Sequence, residues 1–258
     1  MTQFLDSIPE WLLFVLILVA MLVAFEGGFR LGAYREKRSP DEKEGPTSTL
    51  VGALLALMAF LLAITMGMAS DRFDTRRGLV QQEANAIGTT YLRAGYLQEP
   101  QSDELRELLR QYLPLRITTA DKLELQSNVD QSNQLLEQAW VITEEVVRAD
   151  PNSESVAIFV ESLNDTIDTG ASRVTAINNR VPEAIILFLI VGSVLAIGLV
   201  GYDAGLTLRR SLIAAALLIL LFSVVLYLVI DINQPVSGIF QVSQQPLITL
   251  QQQMGPPS

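Results

Sequence analysis

The stretch LVGALLALMAFLLAITMGMASDRFDTRRGLVQQEANAIGTTYLRAGYL, residues 50–97, decides the fold of this chain. Its first part, residues 51–69, has no charged side chain and is long enough to cross a bilayer core as an α-helix. Residues 71–97 are polar and charged, yet they keep apolar residues at helical spacing and contain no proline. The pattern therefore predicts one continuous helix that carries a membrane-embedded face into a large extramembrane region.

The composition of the whole chain also indicates a membrane protein. Half of the 258 residues are hydrophobic and only 18% are charged. Four apolar blocks occupy residues 11–25, 51–69, 184–200 and 212–230, and the first spans a bilayer only if residues 27–31 extend it. The first ten residues contain acids but no base, so this block is not predicted to be a cleavable signal peptide. We predict a multi-pass protein of the cell (inner) membrane.

Missing residue types exclude several classes of chemistry. The sequence has no cysteine and no histidine, which excludes thiolate nucleophiles, Cys/His zinc sites and Ser-His-Asp triads. The net charge of −10 argues against nucleic acid as a partner. We therefore expect that the protein is not an enzyme, and we predict no catalytic residue, no cofactor and no bound metal.

The order of polar and apolar segments predicts an all-α membrane protein with four transmembrane helices and a helical extramembrane domain between spans 2 and 3. The predicted domains are an N-terminal transmembrane hairpin at 1–70, with spans at about 9–32 and 50–70, the helical domain at 71–181, and a second hairpin at 182–232. A tail, 233–258, should pack on the helical domain and be disordered after Gln253. We also expect the last helix of the domain to run almost unbroken into the third span.

Two helix starts within the domain are predicted from capping residues. Ser102 is followed by the acids Asp103 and Glu104, a pattern typical of an N-cap and first turn. Asp150 precedes Pro151, which favours a second N-cap with proline at the first helical position.

The distribution of basic residues predicts which side of the membrane each loop occupies. Bases concentrate in the two short loops: Arg30, Arg35, Lys37, Arg38 and Lys43 in the first, Arg209 and Arg210 in the second. The positive-inside rule then places both short loops in the cytoplasm, and the extramembrane domain and both termini on the non-cytoplasmic side. Five arginines near the membrane ends of the domain point the other way: Arg72, Arg76, Arg77, Arg173 and Arg180.

One face of the second span consists mainly of small residues. Extending the heptad pattern of the following helix backwards gives the set Gly52, Ala56, Ala59, Ala63, Met66, Ser70 and Phe73. Small side chains allow close helix approach, which matters in lipid because the hydrophobic effect does not drive helices together there. Two interpretations stay open: the face lines a pore around an oligomer axis, or it packs tightly within one subunit.

Acidic residues near the ends of the spans are further candidates for functional residues. Glu26 lies at the end of the first span with Arg30 one helical turn later, so an ion pair is expected. Asp203 and Asp231 lie at the ends of the third and fourth spans, where they would attract cations at a pore mouth or simply cap the helix and be solvated.

Acids within the helical domain form a further set. Glu161, Asp165 and Asp168 share one helix face, which would enrich cations in a vestibule or simply be solvated. No glycine-containing calcium loop accompanies them. Glu83 and Asn85 are expected to be buried, with candidate partners Arg76, Arg77 and Arg93.

Three long motifs carry a family resemblance. The runs are MASDRFDTRRGLVQQEANAIGTTYLRAGYLQEP at 68–100, LRELLRQYLPLR at 105–116 and QPVSGIFQVSQQPL at 234–247. They resemble a family of bacterial and plant membrane proteins described as bestrophin-like, over most of the chain from the second span onward. A more distant similarity to true bestrophins rests on a shared plan of two spans, a helical middle domain and two further spans.

The resemblance implies an oligomeric ion channel, pentameric where known among bestrophins, with the second span lining the pore. Two bestrophin features have no counterpart here: Asp231 is the only acid after the fourth span, where animal bestrophins have a calcium clasp, and Phe60 is the only aromatic residue in the second span. Calcium gating and anion selectivity are therefore not transferred. Bestrophins also place the middle domain in the cytoplasm, opposite to the charge count above.

Two functional hypotheses follow. The first is an oligomeric bestrophin-like ion channel whose partners are the lipid bilayer, further copies of the chain and inorganic ions. The second is a non-conducting membrane scaffold or sensor that relays conformational change through its fused helices.

Overall fold

The computed structural model describes residues 9–38, 46–117, 122–208, 210–236 and 238–257, and these ranges contain eight α-helices and no strand. The helices are α1 (Glu10–Arg38), α2 (Thr47–Ala94), α3 (Gln101–Leu115), α4 (Lys122–Ala149), α5 (Glu154–Asn178), α6 (Glu183–Leu206), α7 (Leu212–Asn233) and α8 (Gln245–Met254). Four helical stretches, which include α1, α2, α6 and α7, are long and apolar enough to cross a membrane. The all-α fold with four spans is confirmed. Lys43 and Arg209 lie outside the described residues.

The chain divides into two compact units. The membrane unit comprises Met1–Asp71 and Arg180–Gln234, and the helical unit comprises Arg72–Asn179 and Pro235–Ser258. The helical unit thus contains α3, α4 and α5 together with α8 from the tail.

Helix continuity differs between the two places where it was predicted. α2 is one helix of 48 residues, as the proline-free pattern indicated. α5, by contrast, ends at Asn178 and α6 begins at Glu183. Asn179 is extended, with φ −83° and ψ 98°, and Pro182 has no backbone N–H to continue a helical ladder. The expected fusion of the last domain helix with the third span is therefore interrupted by four residues.

Glycines allow α1 and α6 to pack closely in the membrane unit. A Cβ atom added at Gly28 would lie 2.9 Å from the backbone nitrogen of Tyr202, and one at Gly201 would lie 2.9 Å from the carbonyl carbon of Phe25. Gly32 and Gly205 meet the opposing backbone in the same way. Since lipid offers no hydrophobic drive for helix association, this close backbone approach supplies the contact area.

Contacts of α7 also hold the membrane unit together. The ring of Tyr227 packs edge-on against Phe14 of α1, with centroids 5.6 Å apart. At the end of α7, Asn233 accepts a hydrogen bond through Oδ1 from the backbone N–H of Val181 at 2.7 Å. This bond ties the start of α6 to the end of α7.

The helical unit has two apolar clusters, one of which includes the tail. Leu247 and Met254 of α8 pack with α2 and α3 residues, among them Ile87 and Leu109. Arg110 Nε donates to the backbone oxygen of Met254 at 3.0 Å. Met254 is therefore helical and buried, where disorder was expected, because it has both an apolar pocket and a partner for its carbonyl.

Both predicted helix starts are displaced. α3 begins at Gln101, and Ser102 is buried inside its first turn instead of capping it. α5 begins at Glu154, and the capping residue is Ser153, whose Oγ accepts from the Val156 N–H at 3.4 Å. Asp150 and Pro151 precede that cap, because residues 151–152 form a turn.

The adjacent residues Gly27 and Gly28 offer a matched test of the α1–α6 contact. Gly28→Ala forces the Tyr202 backbone to move and should lower the free energy of unfolding by about 1–3 kcal/mol. Gly27→Ala meets no atom within 4 Å and should leave stability unchanged or raise it, since alanine favours helix. Thermal unfolding of the purified protein in detergent measures both variants. Equal melting temperatures would contradict the close packing.

Candidate functional site

The small-residue face of α2 is exposed in the chain. Gly52, Ala56, Ala59 and Ala63 all lie at the surface, and a Cβ atom at Gly52 would meet nothing within 4 Å. The later members of the predicted set, Met66, Ser70 and Phe73, are half-buried. Among the described residues, therefore, the first four lie outside the buried packing of the chain.

The buried side of α2 in the membrane unit is a different one. Met58, Leu62, Thr65 and Ala69 are all less than 5% exposed and follow the i, i+3/i+4 spacing of a packed helix face. Met58 contacts α6, since a Cβ at Gly192 would lie 2.7 Å from its sulfur. This side holds α2 against its own chain.

A third side of α2 carries large apolar residues. Leu57, Phe60 and Ile64 are 51%, 61% and 46% exposed, as expected of a lipid-facing surface. The span thus has a packed side, a side of large exposed residues and a side of small exposed residues, and only the last is unusual for contact with lipid.

Glu26 takes part in a charged cluster in the second half of α1. Arg30 Nε lies 2.8 Å from Glu26 Oε1, which confirms the predicted pair. Arg210, which lies just before α7, binds the other carboxylate oxygen of Glu26 and stacks 4.4 Å from the ring centre of Phe29. Sequence spacing did not identify Arg210, because it is 184 positions away.

The two other acids at span ends have different environments. Asp203 is half-buried in the last turn of α6. Asp231 is fully buried in α7 and accepts a hydrogen bond from the Tyr227 hydroxyl at 3.4 Å. Asp231 is therefore not a solvated residue at the surface, because the end of α7 is packed.

The three residues of the predicted acidic face on α5 are exposed, but they do not all line the same cavity. Glu161 and Asp165 line a polar cavity of about 420 Å³ beside α2, whereas Asp168 does not. Arg93 of α2 lies 4.0 Å from Glu161. Within the described ranges, no group of three or more acidic side chains is placed to hold a metal ion.

A buried cluster of ion pairs lies inside the helical unit, around Glu83. Arg116 Nε is 2.6 Å from Glu83 Oε1, and Arg173 Nη1 binds the other carboxylate oxygen. All three side chains are at most 6% exposed. A buried carboxylate bound by two guanidinium groups is satisfied at both oxygens, which offsets the cost of removing it from water.

The remaining donors of the two arginines bind other segments. Arg116 donates to Ser132 Oγ of α4 at 3.3 Å and to the carbonyl of Gly170 of α5 at 3.1 Å. Arg173 donates to the carbonyl of Arg116 and to Gln244 Oε1, which precedes α8, both at 2.7 Å. One network thus connects every helix of the helical unit.

Tyr112 completes this buried cluster. The guanidinium of Arg116 lies 5.6 Å from the centre of its ring. Burial raises the pKa of the Tyr112 hydroxyl well above its usual range, so the side chain is neutral at physiological pH. Gly170 leaves room for the hydroxyl, since a Cβ there would lie 2.9 Å from the Tyr112 oxygen.

The predicted partners of Glu83 were wrong, although its need for partners was predicted correctly. Arg116 and Arg173 replace the expected Arg76, Arg77 and Arg93, because tertiary packing brings α3 and α5 to α2. Asn85 is exposed, contrary to expectation, and accepts from Gln81 one helical turn away at 3.0 Å.

The family follows from the sequence itself. The Bestrophin-like domain family matches residues 13–247. The chain belongs to the Bestrophin-like family. No curated protein sequence matches the chain significantly.

Solved structures share the fold of this Bestrophin-like chain at low identity. A point variant of a bacterial bestrophin homologue from Klebsiella pneumoniae has a TM-score of 0.70 at 14% identity and covers 92% of this chain and 97% of that chain. A second variant has a TM-score of 0.69 at 12% identity, with 98% of each chain covered. A structure of the same homologue phased with zinc gives 0.64 at 14% identity, covering 93% and 95%. At these identities the likeness shows a common fold.

Glu83→Gln tests the buried network in this Bestrophin-like protein. The substitution leaves two buried arginines without their carboxylate and should lower the free energy of unfolding by about 3–5 kcal/mol. Glu145→Gln makes the same chemical change at an exposed position of α4 and should alter stability by less than about 0.5 kcal/mol. Chemical denaturation followed by circular dichroism compares the two variants. Equal effects would show that the network does not stabilise the helical unit.

Proposed function

We propose that the protein is a homo-oligomeric ion channel in which the small-residue face of α2 lines the pore. The observation that carries the proposal is the exposure of Gly52, Ala56, Ala59 and Ala63 on a span whose packed side lies elsewhere. Family membership supports it, since bestrophins are channels whose second span lines the pore.

Packing within the chain does not account for this face. The helices α1 and α6 use their glycines for close approach, whereas Gly52, Ala56, Ala59 and Ala63 of α2 are exposed, and a Cβ atom at Gly52 would meet nothing within 4 Å. In a ring of copies, α2 helices could approach an axis, and small side chains would leave space for hydrated ions. The half-buried Met66, Ser70 and Phe73 would continue the lining.

Three acidic residues of the helical unit are the candidate lining of a vestibule at the pore entrance. Glu161, Asp165 and Asp168 are all exposed, and with the net charge of −10 they would enrich cations near a pore entrance. The proposed partners are inorganic ions, lipid and further copies of the chain, with five copies as the first assembly to test.

Ala63→Trp tests the pore-lining role. The indole would fill the axis and should reduce single-channel conductance at least tenfold, about the effect expected when a constriction excludes hydrated ions. Ile64→Trp places the same ring on the neighbouring lipid-facing side and should leave conductance within about twofold of the unmodified protein. Recordings of purified protein in planar bilayers measure both. A folded Ala63→Trp protein with unchanged conductance would contradict pore lining by this face.

A non-conducting scaffold or sensor remains the second candidate, and the continuity of α2 favours it. A helix that is unbroken from Thr47 to Ala94 transmits rotation or translation along its length. Absence of conductance across salts and voltages, with the oligomer intact by mass measurement, would favour this candidate over the channel.

We propose that the helical unit lies on the non-cytoplasmic side. The bases Arg30, Arg35, Lys37 and Arg38 at the end of α1 support this orientation through the positive-inside rule.

Reporter fusions test the orientation. A periplasmically active phosphatase inserted in the α4–α5 turn, at 151–152, should be active, and one inserted after Arg38 should be inactive. The opposite pattern would place the helical unit in the cytoplasm and overturn the charge-based orientation.

A further inference from the structure

A groove of about 930 Å³ lies between α3 and α4 in the helical unit. The contributing residues of α4 recur at helical spacing from Gln134 to Ile142, a stripe about 12 Å long. The described lining of this groove includes no residue of α2 and none of the residues that line the cavity beside α5, so it is distinct from the proposed pore lining.

The floor of the groove is apolar and firmly supported. Leu108 and Ile142 are partly buried and pack on the core cluster that contains Leu105 and Phe159. Val141, by contrast, is 58% exposed in the middle of α4. The floor thus offers apolar surface that the chain itself leaves uncovered.

The rim of the groove is acidic. Asp103, Glu104, Glu107 and Glu137 line it, and none of the lining residues that the structure describes is a lysine or an arginine. Glu107 is bound by Arg110 at 3.3 Å. The other three carboxylates make no ion pair with the described part of the chain, so no described cation neutralises their charge.

We propose that this groove binds a basic amphipathic helix of a partner protein. Two antiparallel helices with an open apolar seam accept a third helix, whose apolar stripe would cover Val141 and the floor. Lysine or arginine residues beside that stripe would meet Asp103, Glu104 and Glu137, which gives charge complementarity across the rim. The length of the α4 stripe matches about two turns of a helix.

The test uses the full chain in nanodiscs of zwitterionic lipid and a labelled peptide of about 14 residues, roughly 21 Å as a helix. The peptide carries leucines at i, i+3, i+4 and i+7 flanked by lysines, and a scrambled isomer has the same composition. Fluorescence anisotropy, with empty nanodiscs subtracted, should show saturable binding of the patterned peptide only. Equal binding of both peptides, or of neither, would overturn the proposal.

Matched variants locate the binding. Glu137→Lys and Val141→Ser should each raise the dissociation constant about three- to tenfold. The controls Glu145→Lys and Val147→Ser make the same changes on α4 outside the groove and should have less than about a twofold effect. Equal losses in variants and controls would show general charge attraction and overturn the proposal.

A second copy of the chain is the competing occupant. Because the sequence has no cysteine, Val141→Cys introduces a unique thiol. We expect this thiol to react with a soluble maleimide and to be protected by the patterned peptide. Disulfide cross-linking between copies under mild oxidation would instead place a neighbouring subunit over the groove and contradict a partner helix.

Discussion

The helical unit depends on one buried carboxylate. Glu83 is bound by Arg116 and Arg173, and the remaining donors of these arginines reach α4, α5 and the residue before α8. A buried charge is tolerated only when its partners are correctly placed, so one arrangement of the helices satisfies the network and displaced arrangements leave ions unpaired. Arg173 also binds Gln244, the residue before α8, so the network holds the tail to the helical unit.

The membrane unit depends on a different constraint, the absence of a hydrophobic drive between helices in lipid. Glycines of α1 and α6 bring two backbones into contact, while α2 presents its large residues Met58 and Leu62 to its own chain. Small residues therefore appear in two settings. In α1 and α6 they are buried contacts, and in α2 they form a free surface, which is the property that a pore lining or a subunit contact requires.

Much of the fold was predictable because helical periodicity and span length are local properties. The four spans and the continuous α2 follow from the absence of proline and charge in defined windows. The predicted break points were less accurate: Asn179 interrupts the α5–α6 connection, and Ser153, not Asp150, caps α5. Of the charged pairs, Glu26 with Arg30 was predictable from one-turn spacing, whereas Arg210 was not, because ion pairs between distant segments leave no local pattern.

The sequence by itself determined the helices, the number of spans, the excluded chemistries and the small-residue face of α2, since each depends on residue type and spacing along the chain. Only the tertiary structure decided which sides are covered. It shows that Gly52, Ala56, Ala59 and Ala63 are exposed and that Asp231 is buried. It also shows that Glu83 binds Arg116 and Arg173. Burial and long-range ion pairing arise from contacts between helices, and one-dimensional spacing carries no information about which helices meet.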